Sequence, residues 1–118
     1  MALIKSCLAS AGVVFLGANK HYIIGADSTT GVRDYTDGTA ISLSGNSFVS
    51  MLVANVDGKT QFVSDQPANY FFYNKDGSLT TKATATANVA VSVPSDAYGV
   101  CIWLTGGGAI GTYNVTIS

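Results

Sequence analysis

Glutamate is absent from this sequence, and charged residues of either sign are few. The 118 residues include six lysines and arginines, seven aspartates and one histidine, for a formal net charge of −1. The cationic residues are scattered along the chain, whereas recognition of nucleic-acid phosphates requires a basic patch on one face. We therefore expect no nucleic-acid partner, and we interpret the charges as solubilising groups at strand ends.

Long apolar runs are also missing. No stretch approaches the roughly 18 consecutive apolar residues of a membrane-spanning helix, so we expect no membrane partner. The apolar stretch after Lys5 has the length of a secretory signal peptide, which is one alternative for the N-terminus. Gly12 divides this stretch into two strand-length pieces, Ala2–Ala9 and Val13–Leu16. We therefore favour two strands over a cleaved leader.

Cysteine is scarce, with only Cys7 and Cys101 in the chain. The two residues could bridge the first strand to a late one, but a single pair does not make a disulfide framework. Small buried thiols are the commoner case in protein cores. Neither cysteine has the CxxC spacing or the histidine partners of a zinc site. We predict two thiols rather than a disulfide, with no metal and no cofactor.

The residues that are abundant indicate strands. Apolar residues make up 47% of the chain, and Gly, Thr, Ser, Val and Ala favour strands and turns over helices. The length fits one domain over residues 1–118. Short apolar segments recur at regular spacing between turn signals. This pattern predicts an all-β fold, namely an antiparallel, jelly-roll-like β-sandwich of about eight to ten strands.

Three segments are the basis of this prediction. Phe48–Val56 and Gly99–Leu104 have apolar residues at odd and even positions alike, which is typical of central strands covered on both faces. Thr112–Ile117 instead alternates between apolar and polar residues, as a strand with one face in water does. Its inward residues are expected to be Tyr113, Val115 and Ile117.

Glycine-containing dipeptides mark the turns. Asp57-Gly58 and Asp76-Gly77 each predict a tight hairpin, because Asp-Gly accepts the positive φ of primed turns. The two hairpins would form a meander around the strand between them. Ser28–Ala40 mixes Gly, Thr and Asp without a period, and it predicts a long exposed loop. A later strand is expected to place three valines on one face, namely Val89, Val91 and Val93.

Candidate catalytic residues are few. His21 is the only histidine, and no serine or cysteine nucleophile motif accompanies it. Asp27, Asp34 and Asp37 share one segment, where paired carboxylates could perform acid–base hydrolysis. A solvated polar loop accounts for them more simply. We therefore predict that the protein is not an enzyme.

Four consecutive aromatic residues, Tyr70 to Tyr73, precede the Asp76-Gly77 turn. In an extended strand, Tyr70 and Phe72 point to one face and the other two to the opposite face. Only one pair can lie in the core of a two-layer sandwich, so the other can stack on a sugar ring or pack against a neighbouring subunit. The predicted binding residues, as an aromatic platform or an interface, are Tyr70, Tyr73 and Trp103.

The stretch from Tyr70 to Ser118 follows a characteristic order of strand types. "FYNKDGSLTT" leads to a Thr/Ala connection, then to "VAVSVPSDAYGVCIWL" and to "GTYNVTIS". This order resembles the jelly-roll modules of phage tail and baseplate proteins and of secreted carbohydrate-binding proteins. Such modules often carry an arginine where this chain has Val100–Trp103. The resemblance therefore implies the fold and a virion or cell-surface setting, but no sugar site.

Two hypotheses of function follow from these observations. The first is a non-enzymatic structural or adhesion protein of a bacteriophage virion, in capsid decoration, tail or baseplate. It would assemble with itself, a trimer being favoured by analogy, and with other virion proteins. The alternative is a monomeric carbohydrate-binding module for cell-surface glycans, located outside the cell. Assembly requires exposed apolar surface, whereas a lectin requires exposed aromatic rings beside hydrogen-bonding residues.

Overall fold

A computed structural model of the protein describes residues 16–24, 32–44, 51–104 and 112–118. Within these ranges the chain forms ten strands and no helix, which confirms the predicted all-β class. The strands are β1 (Lys20–Ile24), β2 (Arg33–Asp34), β3 (Ile41–Ser44), β4 (Met51–Asn55), β5 (Gln61–Ser64), β6 (Ala68–Asn74), β7 (Ala83–Ala85), β8 (Val91–Ser92), β9 (Ala97–Leu104) and β10 (Thr112–Ile117).

The strands form two antiparallel sheets. One has six strands in the order β2-β1-β4-β9-β6-β7, and the other has four in the order β3-β10-β5-β8. From β3 to β6, and again from β7 to β10, each strand lies in the opposite sheet from the strand before it. Such alternation is typical of double-sheet jelly rolls. The predicted antiparallel, jelly-roll-like sandwich is therefore confirmed.

The main core lies between the two sheets. Leu52 of β4 and Val100 of β9 belong to the same buried cluster as Phe62 of β5, and all three are 0% exposed. Burying each such side chain contributes about 1.5–3 kcal/mol. The alternation predicted for β10 is also confirmed, because its inward residues are fully buried and belong to this cluster: Tyr113, Val115 and Ile117.

Two strands of the six-stranded sheet are buried on both faces, as predicted. Every residue of β4 is buried, and so are Gly99 to Ile102 of β9. These strands lie next to each other in the middle of the sheet, with β1 on the far side of β4 and β6 on the far side of β9.

Each sheet has one very short edge strand. The edge strands β2, in the six-stranded sheet, and β8, in the four-stranded sheet, have only two residues each. Short edges limit pairing with strands of other chains.

The Asp57-Gly58 turn forms at the predicted position, but the predicted hairpin is wrong. The Lys59 amide donates to the Val56 carbonyl at 3.0 Å, and Gly58 has a φ of 78°. The turn nevertheless joins the two sheets, because β4 pairs with β1 and β9 while β5 pairs with β10 and β8. A strand apolar on both faces is most stable in the centre of a sheet, where both of its edges are already paired.

The second predicted hairpin is confirmed. At the Asp76-Gly77 turn, the Asn74 amide donates to the Ser78 carbonyl at 2.8 Å, and Gly77 has a φ of 90°. Beyond this turn the chain returns along β6, and β7 pairs with its first three residues. The predicted meander around β6 is wrong, however, because the other neighbour of β6 is β9 and not β5.

Two further predictions need correction. Part of Ser28–Ala40 is not an exposed loop, because β2 lies within it and Tyr35 is only 6% exposed. The Tyr35 hydroxyl donates to the Asn55 carbonyl at 2.6 Å, which fixes the ring in the core. Val89 does not share the buried face of Val91, since it is 52% exposed. The preceding Asn88 has a φ of 62°, which turns the chain there.

Candidate functional site

The six-stranded sheet carries a second apolar cluster on the face that points away from the four-stranded sheet, here called the outer face. Its centre consists of residues that are at most 7% exposed: Leu16, Met51, Val53, Phe71 and Cys101. Around this centre pack four partly buried side chains, here called the outer-face rim: Tyr22, Tyr73, Leu79 and Trp103. The outer face is therefore an apolar layer with aromatic rings at its border.

The structure separates the three predicted binding residues. The ring of Tyr70 points between the sheets, with its centroid 5.1 Å from that of Phe62. Tyr73 and Trp103 both lie on the outer face. Tyr73 pairs with Gly99, four residues before Trp103 on β9. At the rise of a β-strand this is a distance of roughly 13 Å, so the two rings do not form one platform for a single sugar.

Trp103 lies near the end of β9, at the border of the outer face. It pairs with Met51 of β4 and Asn69 of β6 in the backbone register. Its ring meets the ring of Phe71 edge to face, with centroids 6.0 Å apart. Because the side chain is only partly buried, the indole is available to pack against a further surface.

A β-bulge adds a second tyrosine near Tyr73. Tyr73 pairs with Gly99 and the next residue, Asn74, pairs with Ala97, so Tyr98 is an extra residue in β9. Ala97 points into the core. The Tyr98 hydroxyl donates to the carbonyl of Leu16 on the outer face at 2.5 Å. Bulges commonly redirect one side chain in this way next to functional sites.

Tyr73 and Tyr98 line an open cleft at the end of the sheet, here called the tyrosine cleft. Its volume is about 340 Å³, and its other lining residues are Asp57, Asn74 and Lys75. The Lys75 ammonium lies 3.0 Å from the Asp57 carboxylate, and both side chains are about half exposed. The cleft thus combines aromatic rings with a cation, a carboxylate and an amide. These groups can stack on a ligand and hydrogen-bond to it.

The turn beside the cleft is fixed by its own hydrogen bonds. The Asp76 carboxylate accepts from the Ser78 amide at 2.9 Å and from the Ser78 hydroxyl at 2.6 Å. These bonds lower the pKa of Asp76 below its ordinary value. The Lys75 amide also donates to the Asp96 carbonyl at 2.9 Å, which ties the turn to the start of β9. The wall of the cleft is therefore pre-organised.

The candidate catalytic carboxylates do not form a pair. Asp34 forms an ion pair with Lys20, whereas Asp37 bonds to Lys59 and Asn19. Asp27 lies outside the described residues. Each described carboxylate of this group is thus held by a cation, and none is placed opposite another.

His21 lines a separate cleft of about 330 Å³ next to Arg33 and Tyr35. The imidazole is 6% exposed, and its Nδ1 atom has no hydrogen-bond partner. Burial is the main cause that lowers the pKa of His21. A hydrogen bond to the Arg33 backbone raises this pKa, and the charge of Arg33 lowers it, so that the net shift is downward. The ring is therefore neutral at physiological pH.

Cys101 is buried on the outer face and carries a thiol. Its S–H donates to the Met51 sulfur at 3.1 Å. Cys7 lies outside the described residues, so its state stays a prediction. In the described ranges no three or more His, Cys, Asp or Glu residues are grouped to hold a metal. Nor does the described part of the chain include a helix long and apolar enough to cross a membrane.

No protein-family model, no curated protein and no solved structure matches this chain. Its function is therefore inferred from the geometry of the described residues.

Sequence reasoning found only Tyr73 of the tyrosine cleft and missed four of its residues: Asp57, Asn74, Lys75 and Tyr98. Tyr98 falls in a segment whose regular alternation places it inside the sandwich, and only the bulge redirects it. The glycine that follows it is the one available signal, because glycine in a strand often marks a bulge. The sequence predicts a turn at Asp57-Gly58, and nothing in the local sequence indicates that this turn lies beside Lys75.

Proposed function

We propose that this chain is a non-enzymatic structural or adhesion protein of a bacteriophage particle, which acts as a homo-oligomer and contacts other virion proteins. The jelly-roll-like sandwich and the order of strand types from Tyr70 to Ser118 support this setting. A trimer is the favoured stoichiometry, by analogy with other parts of phage particles. Its location is the virion, or the cell surface if the protein acts outside a particle.

The outer-face rim is the observation that carries this proposal. A two-sheet sandwich needs only one apolar face per sheet, yet the six-stranded sheet has two. On the second face, Tyr22 and Trp103 are partly exposed beside a buried apolar layer. Aromatic rings in this position are typical anchors of protein interfaces. Burial of the rim against a second copy removes apolar surface from water.

Light scattering across a range of concentrations tests the proposal. We expect the wild-type protein to have three times the chain mass and to keep it on dilution. Trp103→Ser removes one of the aromatic rings of the rim and is expected to shift the protein towards the monomer. Val89→Ser is the matched control, because Val89 is 52% exposed on the connection between β7 and β8. This control is expected to leave the mass unchanged.

Two results would count against assembly through the rim. One is a wild-type protein that is monomeric at every concentration. The other is an oligomer that persists in a folded Trp103→Ser variant, with folding checked by circular dichroism. Tyr22→Ser provides a second variant on the opposite side of β4, in case Trp103→Ser does not fold.

A second candidate function is recognition of cell-surface glycans, and the tyrosine cleft favours it. Its volume of about 340 Å³ is at the lower end of the range for small-ligand sites, which begins at about 300 Å³. A tyrosine face suits the C–H face of a sugar ring, and Asp57 and Asn74 offer partners for its hydroxyls.

A glycan array followed by titration of the bound glycans tests this second function. We expect binding by the wild-type protein and an affinity up to about tenfold weaker for Tyr73→Ala, since loss of an aromatic contact costs about 0.5–1.5 kcal/mol. Trp103→Ser lies outside the cleft and is expected to bind normally. Retention of no glycan on the array contradicts this function without affecting the assembly proposal, because the two tests measure different properties, namely glycan binding and solution mass.

A further inference from the structure

Three polar side chains from different parts of the chain meet where the two sheets join. Asn19 lies in the turn before β1 and has a φ of 58°. Asp37 lies between β2 and β3, and Lys59 lies between β4 and β5. We call this group the Asn19–Asp37–Lys59 triad. It connects the first strand of the six-stranded sheet with the start of β5 in the four-stranded sheet.

The triad forms a closed triangle of hydrogen bonds. The Lys59 ammonium donates to the Asn19 side-chain oxygen at 2.8 Å and to the Asp37 carboxylate at 2.7 Å. The Asn19 amide nitrogen donates to the same Asp37 oxygen at 2.9 Å. Each of the three groups thus contacts the other two. All three distances are short enough for proton transfer between the groups.

The Lys59 side chain is held in place by its surroundings. It is only 13% exposed, and its ammonium lies 5.8 Å from the centre of the Tyr35 ring. The Asn19 amide nitrogen donates to the Tyr35 carbonyl at 3.0 Å, which fixes the amide plane as well. The amine and the amide are therefore positioned before any reaction. Such positioning can replace a large part of the barrier to a reaction between two groups.

We propose that the triad forms a covalent amide bond between Lys59 and Asn19. The Lys59 nitrogen attacks the side-chain carbonyl carbon of Asn19, so a new C–N bond forms and the C–NH₂ bond of the amide breaks. Asp37 accepts protons from the Lys59 nitrogen and passes them to the departing nitrogen. The Lys59 ammonium and the Asn19 amide thus give one secondary amide and one ammonium ion. The reaction needs no oxidant, reductant or cofactor.

Asp37 is suited to the role of proton carrier. Its Oδ1 atom is hydrogen-bonded to both the Lys59 nitrogen and the Asn19 amide nitrogen, and these bonds lower the pKa of its carboxyl group, so it is an ionised acceptor in contact with both nitrogens. The attacking species is the neutral amine, so the ammonium has to lose a proton before it attacks. The reaction is therefore expected to be slow, to occur once per chain and to accelerate at alkaline pH.

The bond is independent of assembly and of glycan binding, because it changes the resistance of the folded chain to unfolding. Asn19 and Lys59 are 40 residues apart in the sequence. A covalent link between them closes a long loop in the unfolded chain, which stabilises the folded state in the way that a disulfide does. Unlike a disulfide, an amide is not broken by reducing agents. Such a link suits a protein that must withstand force or harsh conditions.

Intact-mass spectrometry of the purified, folded protein tests the proposal. After prolonged incubation at alkaline pH, we expect the wild-type mass to be lower than the sequence mass by one ammonia. Lys59→Arg keeps the cation but lacks a nucleophilic amine, and it is expected to keep its full sequence mass. Asp37→Asn removes the proton acceptor and is expected to react far more slowly. Lys20→Arg is the matched control, because Lys20 pairs with Asp34 and not with an amide.

Digestion with trypsin locates the bond. In the linked protein trypsin no longer cuts after Lys59, so the peptide of residues 6–20 is joined to that of residues 34–75. Wild-type protein incubated in urea should not react, because the triad exists only in the folded chain. A folded wild-type protein that keeps its full sequence mass overturns the proposal. Hydrolysis of Asn19 to aspartate also overturns it, since water and not Lys59 is then the nucleophile.

Discussion

The outward faces of the two sheets differ in chemistry although the sheets share one core. On the four-stranded sheet, the Ser42 hydroxyl donates to the Asn114 side chain at 2.6 Å, and the Asp65 carboxylate accepts from the Asn114 backbone and side-chain amides at 2.8 Å. On the six-stranded sheet, the corresponding face has Val53 and Phe71 at 0% exposed. One sheet thus turns a polar network outward and the other an apolar layer.

The difference between the two outward faces limits what can be inferred from the alternation of polar and apolar residues. Where polar and apolar residues alternate, as in β10, the pattern identifies the face in contact with water. Where both faces are apolar, as in β4 and β9, the pattern establishes a central position in the sheet. It does not identify what lies over the second face. Variants of the outer face therefore need two measurements, one of the free energy of unfolding and one of assembly.

Two neighbouring phenylalanines on β6 test whether the outer face contributes as much to stability as the core between the sheets. Phe72 points into the core between the sheets, and Phe71 points to the outer face. Replacement of either by alanine should lower the free energy of unfolding by about 3–5 kcal/mol, because both side chains are buried. Urea denaturation of the two variants measures this. If Phe71→Ala costs less than about 1 kcal/mol, the outer face is not a true second core.

A pair of valines compares the two outward faces. Val53→Thr places a hydroxyl in the outer-face cluster, where the side chain is 0% exposed, and should cost about 1–3 kcal/mol. Val63→Thr makes the same change on the outward side of β5, where the residue is only partly buried. It should change the free energy of unfolding by less than about 0.5 kcal/mol. Equal costs at the two sites would show that the faces do not differ.

The turn that connects the two sheets is tested at Gly58, with Gly17 as a control outside this turn. Gly58 has a φ of 78°, a conformation that costs other residues about 1–2 kcal/mol, so Gly58→Ala should destabilise the fold by that amount. Gly17→Ala is the control, because an added methyl group would meet nothing nearer than the Lys20 side chain at 3.8 Å. Thermal unfolding of the two variants should differ accordingly. A stable Gly58→Ala variant would mean that the turn adopts another conformation.

Local sequence signals predicted much of this fold. The all-β class, the central strands, the inward residues of β10 and the Asp76-Gly77 hairpin follow from alternation and turn chemistry, which act over a few residues. The separation of Tyr70 from Tyr73 likewise follows from the period of a strand.

Features that depend on distant partners could not be predicted in this way. The Asp57-Gly58 turn is present, but its strands pair elsewhere because β4 is more stable between β1 and β9. Tyr98 reaches the outer side only through a bulge opposite Asn74, and Tyr35 enters the core because its hydroxyl bonds to Asn55. The Asn19–Asp37–Lys59 triad joins three segments with no common local signal. Tertiary contacts decide each of these positions.

The weakest effect is expected at His21, a buried polar residue on β1 next to the edge strand β2. Burial lowers the pKa of His21 below its ordinary value of 6.5, although a hydrogen bond to the Arg33 backbone and the charge of Asp34 oppose this shift. The unfolded chain therefore binds this proton more readily than the folded chain. The stability that His21 contributes is fully present above pH 6.5 and is lost as the pH falls towards the lower folded pKa.

Urea denaturation between pH 7.5 and pH 5 measures this loss, which has a slope of at most about 1.4 kcal/mol per pH unit for one proton. His21 is the only histidine, and the lowered pKa values of Asp37 and Asp76 place their titration below this window. His21→Gln is therefore expected to abolish the slope while the outer-face variants retain it. A slope that persists in His21→Gln would assign the proton to another group and leave the imidazole as a purely structural side chain.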